Sequence, residues 1–105
     1  MLYEKQRTEV AEKALGLLTS GLIINTSGNV SLRIGEHVAI TPSGRDYRTL
    51  NPGDIAVVNL KGDLIEAEFL PSSETPLHLA IYDSNPDVTA IIHTHSVDAT
   101  AISTV

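Results

Sequence analysis

A chain of 105 residues has room for one domain with one core. Its apolar fraction of 42% is ordinary for a globular protein, and thirteen acidic against seven basic side chains leave a net charge of −6. That charge argues against a general nucleic-acid surface, which needs clustered Lys and Arg. The lack of cysteine excludes disulfides and thiolate metal sites, so any metal must be held by nitrogen and oxygen. No run reaches the roughly 18 apolar residues of a membrane span. The polar start Met1-Leu2-Tyr3-Glu4-Lys5 lacks a signal-peptide core. The expectation is a cytoplasmic protein with neither nucleic acid nor membrane as partner.

In chain order, Tyr3 to Ser20 reads as an amphipathic helix. Val10, Leu15, Leu17 and Leu18 sit among Glu9, Glu12 and Lys13, and Gly21 is placed to end it. Leu22-Ile23-Ile24 returns the chain toward the core, and Thr26-Ser27-Gly28-Asn29 is a turn cluster. Val30, Leu32 and Ile34 alternate with Ser31 and Arg33, the pattern of a half-buried strand. Gly35-Glu36 reads as a two-residue hairpin loop, with Val38-Ala39-Ile40 returning. Beyond the turn Thr41-Pro42-Ser43-Gly44 and the break at Asn51-Pro52-Gly53-Asp54, Ile55 to Leu60 and Leu64 to Glu68 form a second hairpin around Lys61-Gly62-Asp63. Pro71 to Thr75 leads into a helix through Leu77, Ala80, Ile81 and Tyr82, which Asn85-Pro86-Asp87 ends. Val88 to Thr94 is an apolar strand ending in histidines.

Ser96 to Val105 is expected to begin a further helix. Val97, Ala101 and Val105 are spaced i, i+4, i+8, with Ile102 alongside, and no closing glycine, asparagine or base follows. The chain is therefore expected to be the N-terminal part of something longer. Antiparallel hairpins between apolar helices predict α/β layers around a mainly antiparallel sheet.

Four segments carry candidate chemistry. In a strand, side chains alternate faces, so His93 and His95 of His93-Thr94-His95 point the same way. Two imidazoles on one rigid element suit zinc or another divalent first-row metal. The plainer reading is a hydrogen-bonded pair at a strand end. Ser72-Ser73-Glu74 stands where a helix begins, and Pro76 fits an early helical position. It reads either as a cap or as an anion site using free N–H groups and the helix dipole. The turns at Gly28 and Gly44 would permit positive φ and let amides converge on an anion. His78 lies four residues after Glu74 on one helical face, where a structural role is preferred to that of a ligand. His37, Arg45 and Lys61 are read as exposed, with Arg45 able to add attraction for an anion. A metal, a carboxylate and an anion site together point to a small phosphorylated carbonyl substrate.

Taken together, Thr26-Ser27-Gly28-Asn29-Val30-Ser31, Ile40-Thr41-Pro42-Ser43-Gly44, Leu70-Pro71-Ser72-Ser73-Glu74 and His93-Thr94-His95-Ser96 resemble the zinc-dependent class II aldolase and adducin family, in its order and spacing. The resemblance covers about the first half of a typical member. It implies a three-layer α/β/α fold with a mainly antiparallel central sheet, truncated here, with residues 1–105 as the N-terminal part of a single domain. It implies homotetramers of the complete protein. His93 and His95 would be zinc ligands, and Glu74 would transfer protons and also touch the metal. Gly28, Asn29, Ser43, Gly44, Ser72 and Ser73 would hold phosphate. The position of Ser43 is often threonine in the aldolases, so its hydroxyl is kept.

The implied reaction is cleavage of a phosphorylated ketose between C3 and C4, as in fuculose-phosphate aldolases. It would give a three-carbon phosphate and an aldehyde. Pentulose-phosphate 4-epimerases, dehydratases, decarboxylases and the non-catalytic adducin head share the scaffold. Glutamate at position 74 leans away from the epimerases, which resemble this pattern with aspartate, while His93, His95 and Glu74 together weigh against an adducin-like module. The family's third zinc histidine lies in its second half, so residues 1–105 alone are expected to be inactive.

Overall fold

The structure is a computed structural model that describes residues 1–23, 28–95 and 100–104, with side chains up to Thr94. Helix α1 spans Glu4–Thr19. Strands β1 (Asn29–Ile34) and β2 (His37–Ile40) form the first hairpin, and β3 (Ala56–Asn59) and β4 (Leu64–Glu66) the second. Helix α2 (Thr75–Ser84), β5 (Ala90–His95) and β6 (Thr100–Thr104) follow. The strands lie in one sheet in the order β4-β3-β2-β1-β5-β6, with every neighbouring pair antiparallel.

Helix α1 ends as its sequence dictates. Gly21 takes φ 81, its N–H reaches Leu18 O at 3.2 Å, and Leu22 N–H reaches Leu17 O at 3.0 Å. These are the paired bonds of a Schellman motif, which satisfy carbonyls the helix leaves open. The buried side of α1 is Arg7, Val10, Ala11, Ala14 and Leu17. The expected apolar residue Leu15 instead stands 39% exposed, because the face that meets the sheet runs through Val10, Ala14 and Leu17. Arg7 is buried and donates to the carbonyls of Leu2, Pro52, Gly53 and Ile55 at 3.0–3.3 Å. It also pairs with Glu66, whose carboxyl it holds below the usual range by hydrogen bonding. One guanidinium thus ties α1 to β4 and to the 3₁₀ turn Pro52–Asp54.

Both faces of the sheet are covered. On one, α1 packs with Val30, Ala39, Tyr47 and Ile55. On the other, Tyr82 of α2 packs with Val38, Ile40, Ala56, Val58 and Ile91. Strand alternation sorts Ala39 to the first face and its neighbours Val38 and Ile40 to the second. This is the expected α/β/α layering around an antiparallel sheet. Double coverage corrects one expectation: Ser31, on the polar side of a supposedly half-buried strand, is fully buried beneath α2. The loop Gly35-Glu36 is confirmed by the pairing Ile34↔His37 and by φ 59 at Gly35.

The end of the chain departs from its expected helix. Residues 100–104 form β6, paired with β5 from His95↔Thr100 to Ile91↔Thr104. β-branched Thr100, Ile102, Ser103-flanked Thr104 suit a strand, and the open side of β5 supplies the bonds. Residues 96–99 and Val105, parts of the expected helix, lie outside the described residues. Among the described residues no helix is long and apolar enough to cross a membrane.

The glycines within and just beyond α1 give opposite predictions. Gly21→Ala forces a side chain into the left-handed region and should cost about 1–2 kcal/mol. Gly16 lies inside the helix with open space around a built Cβ, so Gly16→Ala should gain about 0.5–1 kcal/mol. Denaturant unfolding of the two variants checks the opposite signs.

Candidate active site

Three segments distant in sequence meet at Thr41. Its N–H donates to Val30 O at 3.0 Å, its Oγ1 accepts from Val30 N–H at 3.2 Å, and its carbonyl accepts from Ser72 N–H at 2.9 Å. Ser43 N–H donates to Leu70 O at 2.8 Å, and Pro42 bridges Pro71. The turn after β2 is thereby laddered to the segment leading into α2. The amides of Ser43 and Ser72 are spent on this ladder, so toward an anion these two residues have their hydroxyls to offer. Ser72 Oγ also accepts from Glu74 N–H at 3.2 Å, and Thr75 Oγ1 donates to Ser72 O at 2.6 Å. Ser72 and Ser73 therefore precede the helix by a turn, and Glu74 itself holds the N-cap position with Thr75 and Pro76 following. Ser43, Gly44 and Ser73 are exposed, and Gly44 takes φ 68 as expected.

Gly28 has a different reason for being glycine than the one expected. Its φ is not positive. A Cβ there would collide with Ile23 Cγ2 and stand 3.1 Å from His93 O. Close packing of this segment on β5 requires the glycine. Gly28 O accepts from the buried Tyr47 hydroxyl, whose pKa burial raises. Thr26 and Ser27, expected in the same turn, lie outside the described residues.

The next residue, Asn29, starts β1 directly across from His93 of β5. Asn29 and His93 are both buried, at 4% exposure each. Asn29 Nδ2 donates to Glu74 Oε2 at 3.2 Å, and that same carboxylate oxygen contacts His93 Nδ1. The sheet and the start of α2 thus bring one imidazole, one carboxylate and one carboxamide together on the α2 face. Glu74 is about a third exposed and His93 nearly buried, so the carboxylate is the member of the group that solvent reaches. A nitrogen donor touching a carboxylate oxygen fits a borderline divalent metal. His95 is the last residue of β5, opposite Thr100, and its side chain lies outside the described residues. Among the described residues no group of three or more His, Cys, Asp or Glu could hold a metal.

His78 is fully buried one turn into α2. Its Nε2 meets Asn29 Oδ1, and its Nδ1 meets Ser31 Oγ at 2.7 Å, with Ser31 Oγ in turn 2.7 Å from Tyr82 OH. Both ring nitrogens are engaged, which is the structural role preferred for it. Burial, reinforced by His93 and opposed by Glu74, lowers its pKa to about 4. Burial likewise pushes Tyr82 up to about 12. Sequence reasoning missed Ser31, Thr41 and Tyr82 as parts of the site. A readable signal existed: Glu74, His78 and Tyr82 fall at i, i+4, i+8. Of the residues read as exposed, Lys61 and Arg45 are exposed. His37 is half-buried and bonded through Nδ1 to Tyr3 OH at 2.8 Å. Arg45 lies over the Phe69 ring, 4.1 Å from its centre.

The buried neutral imidazole makes stability depend on pH. In the unfolded chain His78 binds its proton near the ordinary value of 6.5, and in the folded chain only near 4. Between these values the unfolded state holds more protons, so stability is complete above pH 6.5 and falls toward pH 4. The expected loss is about 3 kcal/mol. Urea unfolding across this range should show that slope, and His78→Gln should flatten it.

The profile of the class II aldolase and adducin N-terminal domain matches residues 8–105. The chain is 41% identical over 105 residues to a 5-deoxy-D-ribulose 1-phosphate aldolase of Bacillus thuringiensis serovar kurstaki, covering 98% of this chain and 49% of that protein. It is 43% identical over 102 residues to a methylthioribulose-1-phosphate dehydratase of Marinobacter nauticus, covering 96% of this chain and 49% of that protein. Among solved structures it is similar to an L-fuculose 1-phosphate aldolase, with a TM-score of 0.86, 35% identity, and coverage of 92% of this chain and 47% of that one. The chain spans about half the length of the curated relatives it matches. Matched along almost its whole length, the chain belongs to the class II aldolase and adducin family.

Proposed function

We propose that the intact protein cleaves a phosphorylated ketose by a metal-dependent aldol reaction, giving a three-carbon phosphate and an aldehyde. The observation that carries this reading is the Glu74 carboxylate, held between His93 and the Asn29 amide, with its own N–H bonded to Ser72 Oγ. In this reading residues 1–105 are the N-terminal part of one class II aldolase-like domain, and the intact protein is a cytoplasmic homotetramer. Relatives named for sugar phosphates support the substrate class.

His93, His95 and Glu74 would hold zinc or another divalent first-row metal. Such a metal supplies Lewis-acid polarisation of the substrate's carbonyl and hydroxyl oxygens. The protein's own residues do the rest. Asn29 and the hydroxyls of Ser43, Ser72 and Ser73, with the backbone at Gly28 and Gly44, hold the phosphate. That grip is remote from the reacting carbons and fixes their position, converting binding energy into orientation. Glu74 moves the proton: the C4 hydroxyl loses one as the C3–C4 bond breaks, and C3 gains one. The carboxylate is suited to this because Asn29 fixes one oxygen while the side chain keeps access to solvent.

A second reading, dehydration of a ketose 1-phosphate, is favoured by the 43% identity to a dehydratase. It needs the same anion grip and the same proton-moving carboxylate, but expels water and keeps the carbon chain whole.

In the intact protein, Glu74→Gln keeps shape and removes the base. It should lower kcat by about 10²–10⁴-fold with KM little changed. Near-normal turnover in steady-state assays would remove Glu74 from the mechanism. The reaction itself is decided by its products. Incubated with ketose 1-phosphates and zinc, the protein should release a triose phosphate, detectable with a coupled reductase. Chelation should stop the release and added zinc restore it. Loss of water without carbon–carbon cleavage would establish the dehydratase reading instead.

A further inference from the structure

Behind the contact between Glu74 and Asn29 runs a line of buried polar groups that neither metal holding nor proton transfer uses. Tyr82, Ser31 and His78 are fully buried, and they connect in sequence to Asn29 and Glu74. Burying three polar side chains is unfavourable unless each is satisfied. Here every link is made, and the direction of every link follows from one end.

A carboxylate can only accept, so the Asn29 group facing Glu74 Oε2 must be its NH₂. The Asn29 oxygen then faces His78, and that oxygen also only accepts. The hydrogen must therefore sit on His78 Nε2. In a neutral imidazole this leaves Nδ1 as an acceptor, so Ser31 donates to it. The Ser31 oxygen is then free to accept from Tyr82. Turning the Asn29 amide over would set its oxygen against the Glu74 carboxylate. It would also set its NH₂ against an Nε2–H. Both contacts would be lost at once.

We propose that His78 is a positioning residue: as the Nε2–H tautomer, braced by Ser31 and Tyr82, it locks the Asn29 carboxamide so that it presents N–H donors to Glu74 and to the substrate's anionic group. The first N–H is spent on Glu74. The second is the one that a phosphate oxygen can take. The inference rests on the proposed anion site at Asn29, but its direct signature does not depend on turnover. The effect is one of selectivity for charge. An amide turned over would offer its oxygen, which repels an anion, and without His78 only the single contact to Glu74 opposes that turn.

The test has two parts, both on the intact protein. In the parent labelled with ¹⁵N-histidine, the imidazole resonances of His78, assigned by their loss in His78→Phe, should be those of a neutral Nε2–H ring at pH 7. An Nδ1–H ring or a doubly protonated ring would overturn the proposal, whatever reaction the protein catalyses. Binding of inorganic phosphate, measured by titration calorimetry, supplies the second part. His78→Phe keeps the ring's bulk but has no donor, and should weaken phosphate about 10- to 100-fold, the equivalent of one hydrogen bond to a charged group. His78→Gln can offer an amide N–H toward Asn29 and should recover most of that loss. Equal phosphate binding by parent, Phe and Gln variants would overturn it, as would equal weakening in Phe and Gln. If His78→Phe does not fold, Tyr82→Phe removes only the outermost link. It should then shift the His78 ring resonances and weaken phosphate less than tenfold, and no change in either would sink the idea. Failure to cleave ketose phosphates, with the tautomer and phosphate results intact, would count against the proposed reaction alone.

Discussion

The arrangement depends on Thr41, a fully buried threonine at the end of β2 whose backbone and hydroxyl together hold three segments. It is bonded twice to Val30 and once to Ser72. Each such bond contributes about 1 kcal/mol net, but leaving a buried partner unsatisfied costs about 1–3 kcal/mol. The constraint is therefore stronger than its bonds suggest. With it in place, the chain before α2 cannot drift from the head of β1, and Glu74 must arrive beside Asn29. The sheet then supplies His93 at the register position opposite Asn29.

The second condition is that both faces of the sheet are covered. A half-buried antiparallel sheet would have left Asn29, Ser31 and His93 in water, where hydrogen bonds cost little to exchange. Helix α2 encloses them, so polar groups on this face must find partners or be excluded. The resulting line from Tyr82 to Glu74 follows one edge of α2, where residues four apart lie on the same side. Packing and polarity cooperate, since Tyr82 also lies among Val38, Ile40 and Ile91. Gly28, by its lack of a side chain, lies close against Ile23 and the backbone of β5.

Much of the local structure was legible. The Schellman end at Gly21, the two-residue turn at Gly35-Glu36 and the antiparallel order follow from short-range steric rules. So does the layered fold once helices flank hairpins. The errors have a common physical origin. Leu15 counts as apolar by type, but its angle around the helix carries it off the face that meets the sheet. Ser31 counts as polar, yet α2 closes over it. Val97, Ala101 and Val105 carry an apolar spacing that suits a helix, but for residues 100–104 an adjacent strand offers backbone partners that a helix would leave unused. In each case packing or pairing with another element overrode a local pattern.

The sequence by itself determined which chemical groups are available: two histidines two apart, a glutamate after paired serines, and glycine-marked polar turns, with no thiol anywhere. Side-chain type and spacing are enough for that, because they limit which atoms can bind a metal, a proton or an anion. Only the tertiary structure decided how those groups are used. It put Asn29 between Glu74 and His78, engaged the amides of Ser43 and Ser72 in a ladder, and made Gly28 a packing requirement and not a left-handed turn. The reason is that hydrogen-bond direction and steric clearance depend on atoms brought within a few ångströms by pairings across the sheet. Spacing along the chain carries no information about those distances.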